Sequence, residues 1–320
     1  EFLENKNIPA ERLYNNVWAR NKYYDPAKRS ILLNSHHDTV KPNLGYTRNP
    51  FEAEVEHGKL YGLGSNDAGG SLVSLLACFL HFYDQKDLKF NLIFAATAEE
   101  EISGKLGIEI LLPYLGEIYF GIVGEPTQMN MATAQKGLLV IDCMCSGSTG
   151  HAARDEGENA IYKALKDLEW FKTYQFPKTS EMLGNVKMTV TLIQAGTQHN
   201  VLPATCNFTV DIRTTDHYSN QAVLDIIKKH VACKVNPRSL RLNSCSVPID
   251  HPLVKAGLAI GKSVFGSPTL SDMALMNFPS FKMGPGDSAR SHTADEFIYL
   301  KEIEDGMETY INLLTTFNKI

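Results

Sequence analysis

Phe90-Asn91-Leu92-Ile93-Phe94-Ala95 runs on through Ala96-Thr97-Ala98 into Glu99-Glu100-Glu101. The apolar half has the length and composition of a buried strand. The acidic half is difficult to read as a solvated face, because it comes directly after an interior run. Three adjacent carboxylates repel one another, and a nearby cation would remove that repulsion. The pattern recurs on both sides. Ile31-Leu32-Leu33 reads as a buried strand ending at His36, and Tyr119-Phe120-Gly121-Ile122-Val123 as a strand ending at Glu125, before Pro126. Between them, Lys59-Leu60-Tyr61 reads as the return arm of a hairpin turning at His57-Gly58. Leu72 to Phe82 has the apolar density of a buried helix, and Ile108 to Leu112 reads as a helix stopped by Pro113. This alternation predicts an α/β fold, a mixed, largely parallel sheet flanked by helices. Open sheets of that kind present their reactive groups at the carboxyl ends of the strands.

The rhythm changes after about Thr133. Gly137 to Cys145 reads as a strand, Asn159 to Phe171 as an amphipathic helix, and Val186 to Ile193 and Asn207 to Ile212 as strands. Asn220 to Val231 reads as a helix and Ser239 to Cys245 as a last strand. The order β-α-β-β-α-β predicts a ferredoxin-like α+β domain over 133–248, inserted into a discontinuous domain of 1–132 and 249–320. After Pro248 the outer pattern resumes, with helices over Pro252 to Val264 and Lys301 to Leu314 and an extended Phe281-Lys282-Met283.

A chain of 320 residues is near the upper limit for one core, which also favours two domains. The formal net charge of −5 gives no footing for nucleic acid. No apolar run is long enough to span a bilayer, and no signal peptide is visible. The chain opens at Glu1 without a methionine, in what reads as the end of a helix, so residues are expected upstream. The six cysteines contain no Cys-x-x-Cys pair. Cys143 and Cys145 would face one side of a strand at a spacing poor for chelation. All six read as small buried apolar residues in a reducing cytoplasm.

In Ser35-His36-His37-Asp38, residues two apart point the same way along a strand, so Asp38 can accept the His36 ring proton and fix its tautomer. His37 points to the opposite face. Gly62-Leu63-Gly64-Ser65-Asn66-Asp67 mimics a dinucleotide fingerprint, but Asp67 stands where the third glycine belongs and would repel a pyrophosphate. Asp67 fits a helix N-cap and equally a carboxylate bridging two ions. His292, in Ser291-His292-Thr293, adds a second imidazole. Imidazole and carboxylate donors without thiolate suit zinc, and also cobalt or manganese.

The ordered motifs are Ser35-His36-His37-Asp38-Thr39-Val40, Leu60 to Gly70, Thr97 to Glu101, Gly124-Glu125-Pro126-Thr127, Gly150-His151-Ala152, His199-Asn200-Val201-Leu202-Pro203, and Gly284-Pro285-Gly286 with His292 after it. On these the chain resembles the co-catalytic zinc aminoacylase and carboxypeptidase family. That family includes acetylornithine deacetylase, succinyl-diaminopimelate desuccinylase and glutamate carboxypeptidase. The resemblance implies two zinc ions per chain bridged by Asp67. His36 and Glu125 would hold one ion, Glu101 and His292 the other. Glu100 would be the general base, and Asp38 would orient His36. It further implies that the inserted domain is a lid whose His151 stabilises an oxyanion, often across a dimer interface. Asn200 and Arg213 match lid positions near the substrate carboxylate, and Gly286 and Arg290 lie near the last ligand. Glu99 departs from the family, which usually has Asp there, and so loosens the assignment within the triplet.

The implied activity is zinc-dependent hydrolysis of a linear amide in a small N-acyl amino acid. Removal of an acetyl or succinyl group from ornithine or citrulline, in arginine synthesis, fits best. Succinyl-diaminopimelate desuccinylase, or a broad aminoacylase or dipeptidase, is the nearest rival. A non-catalytic relative would have lost ligands, and this chain has them all. The resemblance also implies a cytoplasmic homodimer joined through the lid domain.

Overall fold

All seven residues of the strand Ser30–His36 are buried, as a strand covered by helices on both faces requires. The computed structural model describes residues 1–154 and 156–319. In chain order the first elements are α1 (Phe2–Asn5), β1 (Glu11–Leu13), β2 (Asn16–Arg20), β3 (Ser30–His36), β4 (Glu54–Glu56) and β5 (Lys59–Tyr61). They continue with α2 (Gly70–Phe82), β6 (Asn91–Thr97), α3 (Ile108–Leu115), β7 (Phe120–Val123) and β8 (Met131–Gln135). Next come β9 (Gly137–Ser146), α4 (Ala160–Thr173), β10 (Lys187–Ala195), β11 (Thr205–Thr214), α5 (Asn220–His230) and β12 (Lys234–Pro237). The last are β13 (Cys245–Ser246), α6 (Pro252–Ala259), β14 (Val264–Ser267), β15 (Ser280–Lys282), β16 (Phe297–Tyr299) and α7 (Leu300–Lys319). The chain divides into two compact units. One is Glu1–Thr133, Ser246–Phe265 and Ser271–Ile320; the other is Ala134–Cys245 and Gly266–Leu270.

The large mixed sheet runs β1-β2-β6-β3-β7-β15-β8-β13, with β14 paired to β8. Its centre is parallel across β6, β3, β7 and β15, while β1, β2 and β8 pair antiparallel. Register decides what this sheet can do. His36 lies opposite Thr97 and Asn34 opposite Val123, so β3, β6 and β7 end at nearly one level. The segments that leave them carry His36, the glutamate triplet and Glu125. Phe79, Phe120 and Phe281 are fully buried in this core, each worth about 1.5–3 kcal/mol. The buried Tyr310 on α7 donates its hydroxyl to the Met283 carbonyl. A small separate sheet, β16-β5-β4, contains the expected hairpin, with His57 and Gly58 both at positive φ.

The second unit has four antiparallel strands in the order β10-β11-β9-β12, the ferredoxin-like arrangement. Residues along β9 alternate between buried and half-buried, the signature of a sheet with one packed face. Asn159 and Ser219 cap α4 and α5 by accepting the backbone N–H groups of Ile161 and Ala222. β10 is an edge strand, mostly exposed, with a register shift between Val190 and Leu192.

Three sequence expectations need correction, and two strands come in addition. The last strand of the second unit is Lys234–Pro237, not Ser239 to Cys245. Residues 239–244 run irregularly because Asn220 Nδ2 donates to the carbonyls of Leu138 and Leu242, and the Leu138 N–H also goes to Leu242. Helix α6 stops at Ala259 rather than Val264, where Gly261 turns to φ +80°. Pro113 does not stop α3, which continues to Leu115. The proline removes only one internal bond of a short helix, while Ile108, Leu111 and Leu115 form its buried stripe. The chain does open in a short helix, α1, as expected, and the two strands added are β1 and β2, which carry no strong alternation. No helix among the described residues is long and apolar enough to cross a membrane.

Candidate metal centre

The last residue of β3 delivers His36, which is 2 % exposed. Its Nε2 lies 3.2 Å from Asp67 Oδ1 and 4.0 Å from Glu125 Oε1. On the other ring nitrogen, Nδ1 lies 3.0 Å from the Asp38 carbonyl oxygen and 3.6 Å from the Asp38 carboxylate. That carboxylate accepts the backbone N–H groups of Glu100 and Glu101, each at 3.2 Å. Asp38 therefore ties the histidine end of β3 to the loop after β6. His37 turns away; its ring meets the Asn15 carbonyl at 2.8 Å.

Asp67 stands between two imidazoles. Its Oδ1 faces His36, and its Oδ2 lies 3.6 Å from His292 Nε2. The same His292 nitrogen lies 3.1 Å from Glu101 Oε2. His292 is held at φ 60° in a loop whose carbonyl accepts from Asn43. Donor atoms of His36, Asp67 and Glu101 all lie within 4.8 Å of one another, as do those of His36, Glu100 and Glu125.

Glu99 leaves this group. It sits at φ 61°, and its Oε2 accepts the Leu106 N–H at 2.9 Å. The first glutamate of the triplet thus anchors the loop, and the second and third face the centre. A glutamate in place of the family's aspartate has the reach to cross to Leu106.

Burial together with crowding sets the electrostatics. Desolvation, then the charge of Glu125, lifts Glu100 well above the ordinary carboxylate range. Desolvation and the Asp67 charge push Glu125 up to about 8, and the same two causes raise Glu101. Burial works against ionisation of Asp67, yet the hydrogen bond and charge of His36 hold it below its ordinary value. Burial likewise works against His36, but hydrogen bonds to Asp38 and Asp67 and the nearby carboxylate charges raise it well above its ordinary value. The set is several buried carboxylates with too little positive charge, offering only nitrogen and oxygen donors. That chemistry fits divalent metal ions, which would neutralise the repulsion.

A family model described as peptidase family M20/M25/M40 matches residues 32–316. The chain belongs to this family. It is 28% identical over 308 residues to a [LysW]-lysine/[LysW]-ornithine hydrolase of Sulfurisphaera tokodaii, covering 92% of this chain and 84% of that protein. It is 28% identical over 311 residues to acetylornithine deacetylase of Proteus mirabilis, covering 90% and 79%. The fold is similar to that of an M20 family metallo-carboxypeptidase from Sulfolobus solfataricus, with a TM-score of 0.77 at 16% identity over 98% of this chain and 91% of that one. The protein is accordingly an M20 metallohydrolase that acts on amide bonds.

Several residues of this M20 chain act through others. Glu296, 1 % exposed, accepts three backbone N–H groups of the loop that carries Asp67. Asp272, also buried, accepts from Asn34 at 2.9 Å and Thr97 at 2.8 Å, joining β3 to β6 beneath the centre. Asn66 binds the Asp287 backbone from both sides and reaches Ser291 Oγ. The sequence reading missed all three, since a lone buried acid or amide leaves no mark on hydrophobic periodicity. Gly286 has a structural reason to be glycine: φ is +89°, and a Cβ would lie 2.4 Å from Asn66 Oδ1. Arg290 is committed to Glu302 at 2.7 Å and lies over the Phe297 and Tyr299 rings, while its Nη1 has no hydrogen-bond partner among the described residues.

The remaining sequence candidates lie in the second unit. His151 is exposed, bridges to Val201, and accepts the Ala153 N–H on Nδ1. The Asn200 carbonyl accepts the Ala152 N–H, which leaves its side chain free of that contact. Arg213, on β11, donates to Asp211 on the same strand.

Proposed function

We propose that the chain is a two-zinc deacylase that removes an acetyl, or a succinyl, group from the α-nitrogen of ornithine or citrulline in arginine synthesis. The observation that carries the two-ion part is Asp67, whose two oxygens face two different histidines. In this reading His36 and Glu125 would hold one ion, Glu101 and His292 the other, and Asp67 would serve both. Cobalt or manganese can substitute. When bound, the ions polarise the scissile carbonyl and lower the pKa of a nearby water to about 7.

The chain's own groups do the rest. Glu100 takes the proton of the attacking water and passes it to the leaving amine, so amide plus water becomes carboxylate plus amine. Asp38 keeps His36 in one orientation and fixes the backbone of Glu100 and Glu101. In this reading His151 would donate to the developing oxyanion. Asn200 and Arg213 receive the substrate carboxylate, with Gly286 and Arg290 shaping the surroundings.

Substrate choice is supported by the names of the two relatives, both of which carry ornithine. A homodimer through the second unit is supported by the exposed edge strand β10, where Leu192 and Ile193 face solvent. Six cysteines without a disulfide agree with a reducing cytoplasm. Initial rates of the zinc-loaded protein on acetylornithine, acetylcitrulline, succinylornithine and succinyl-diaminopimelate test the reading. The highest kcat/KM is expected on an acylated ornithine or citrulline. Preference for succinyl-diaminopimelate would replace this substrate and leave the metal chemistry standing.

A further inference from the structure

The second unit gathers its cysteines around one acid. Cys206 on β11 pairs with Cys145 on β9, and Lys234 of β12 pairs with Met144. One further step in that register brings Cys233 beside Cys145 on the other side. Three cysteines therefore stand in a row across adjacent strands, and Cys143 is two residues from the central one. Asp167 of α4, 2 % exposed, completes the cluster. Its Oδ2 lies 3.7 Å from Cys145 Sγ. Donor atoms of Cys145, Asp167 and Cys233 lie within 4.8 Å of one another, and the buried Cys143 lies opposite Val235, one inward-facing position along β9 from Cys145.

We infer that Cys145, Cys233 and Asp167, joined by Cys143 two residues along β9 as fourth donor, form a second metal site, which takes one zinc-type divalent ion in a structural role. Closed structural zinc sites are four-coordinate, and Zn–S bonds of about 2.3 Å put tetrahedral donors about 3.8 Å apart. The Cys145–Asp167 separation already matches that spacing. The carboxylate is aimed in advance: Oδ1 accepts the Ala232 N–H at 3.1 Å and Oδ2 the Cys233 N–H at 2.8 Å. Backbone bonds of this kind orient metal ligands. The ion would bind strand β9, helix α4 and the turn between α5 and β12 to one another, in a unit with a modest core of its own.

The alternative use of such a cluster is thiol redox chemistry. That needs an accessible thiolate, whereas Cys143 and Cys145 are buried. A bound cation is the partner that makes thiolates in such surroundings, and it releases their protons on binding. Sequence spacing concealed the site, because Cys143 and Cys145 alone chelate poorly and Cys233 arrives from the turn before β12.

Cobalt titration of the metal-free, full-length, reduced protein tests the inference. The centre in the first unit has no sulfur donor, so a thiolate-to-cobalt charge-transfer band reports the second unit alone. The expected result is a saturable band accompanied by proton release. It is absent in Cys233→Ser, weakened at least tenfold in affinity in Asp167→Asn, and retained in Cys206→Ser and His292→Ala. Absence of the band in the unaltered protein overturns the inference, however the variants fold. So does a band that survives both Cys233→Ser and Asp167→Asn. Loss of two titratable thiols without a band, the mark of a Cys143–Cys233 disulfide, overturns it as well.

Discussion

The buried Glu296 carboxylate accepts the backbone N–H of Asp67 at 2.9 Å. It also takes the N–H groups of Asn66 at 2.9 Å and Gly64 at 3.1 Å. One side chain thus holds the loop that presents the shared carboxylate of the centre. Glu296→Gln turns one acceptor oxygen into an N–H₂ group, which opposes a backbone N–H instead of receiving it. Zinc affinity is expected to fall about 10–100-fold, the usual cost of disturbing a ligand's support. Competition against a chromophoric chelator measures it, and unchanged affinity would show that Glu296 does not support the metal centre.

The two inner glutamates should separate cleanly. Glu100→Gln keeps the shape but cannot take a proton. It is expected to retain both metals and most substrate affinity while losing at least about 10²–10⁴-fold in kcat. Glu101→Gln weakens the His292 side of the centre and should lower metal occupancy. Metal content and kcat measured on both variants check this. Full occupancy with lost turnover in Glu101→Gln, and not in Glu100→Gln, would exchange their roles.

Much of the centre is legible in the sequence, because strand ends are. Buried runs mark β3, β6 and β7, and the residues just past a parallel strand are presented at the sheet's reactive edge. The fate of Glu99 is not legible, because it depends on a positive φ and on the Leu106 N–H. Glu296 stands next to Asp295 in a polar loop and resembles a surface acid until the fold buries it beneath Gly64–Asp67. The last strand of the second unit is misplaced by sequence for a related reason. Residues 239–244 have strand-like composition, but the side chain of Asn220 takes carbonyls that a ladder would need. Side-chain contacts with backbone groups beyond the next turn decide each of these cases, and hydrophobic pattern does not encode them.

The metal-free protein should lose stability as pH rises from about 4.5 to 8. Glu125 is pushed up to about 8, and Glu100 is raised in the same direction. Each folded carboxyl then holds its proton more tightly than the unfolded one. Stability is full below the ordinary carboxylate pKa and declines as pH approaches the folded value. His36, also raised, loses its contribution in the same direction above about 6.5. Asp67 and Asp38 are lowered, so their effect falls at acid pH, outside this window. A loss on the order of 1 kcal/mol corresponds to a Tm lower by about 2 °C. Zinc should abolish or reverse the trend, because cations favour the ionised ligands. Calorimetry with and without zinc decides it; a Tm of metal-free protein that rises over the window contradicts it.

A shared active site predicts complementation. His151→Ala chains and Glu100→Gln chains should each be inactive alone. After subunit exchange, some mixed dimers would contain one complete site, and activity should return to a fraction of the unaltered level. Mixing that restores nothing, with exchange confirmed by mass spectrometry, would confine His151 to its own chain or to no role.

The central claim is that Asp67 bridges two ions. An anomalous-difference map of zinc-loaded crystals, collected at the zinc edge, locates metals rather than merely counting them. Two peaks are expected about 3.5–4 Å apart, one beside His36 and Glu125 and one beside Glu101 and His292, with Asp67 between them. A single peak at saturating zinc, in protein with full activity, would contradict the bridge.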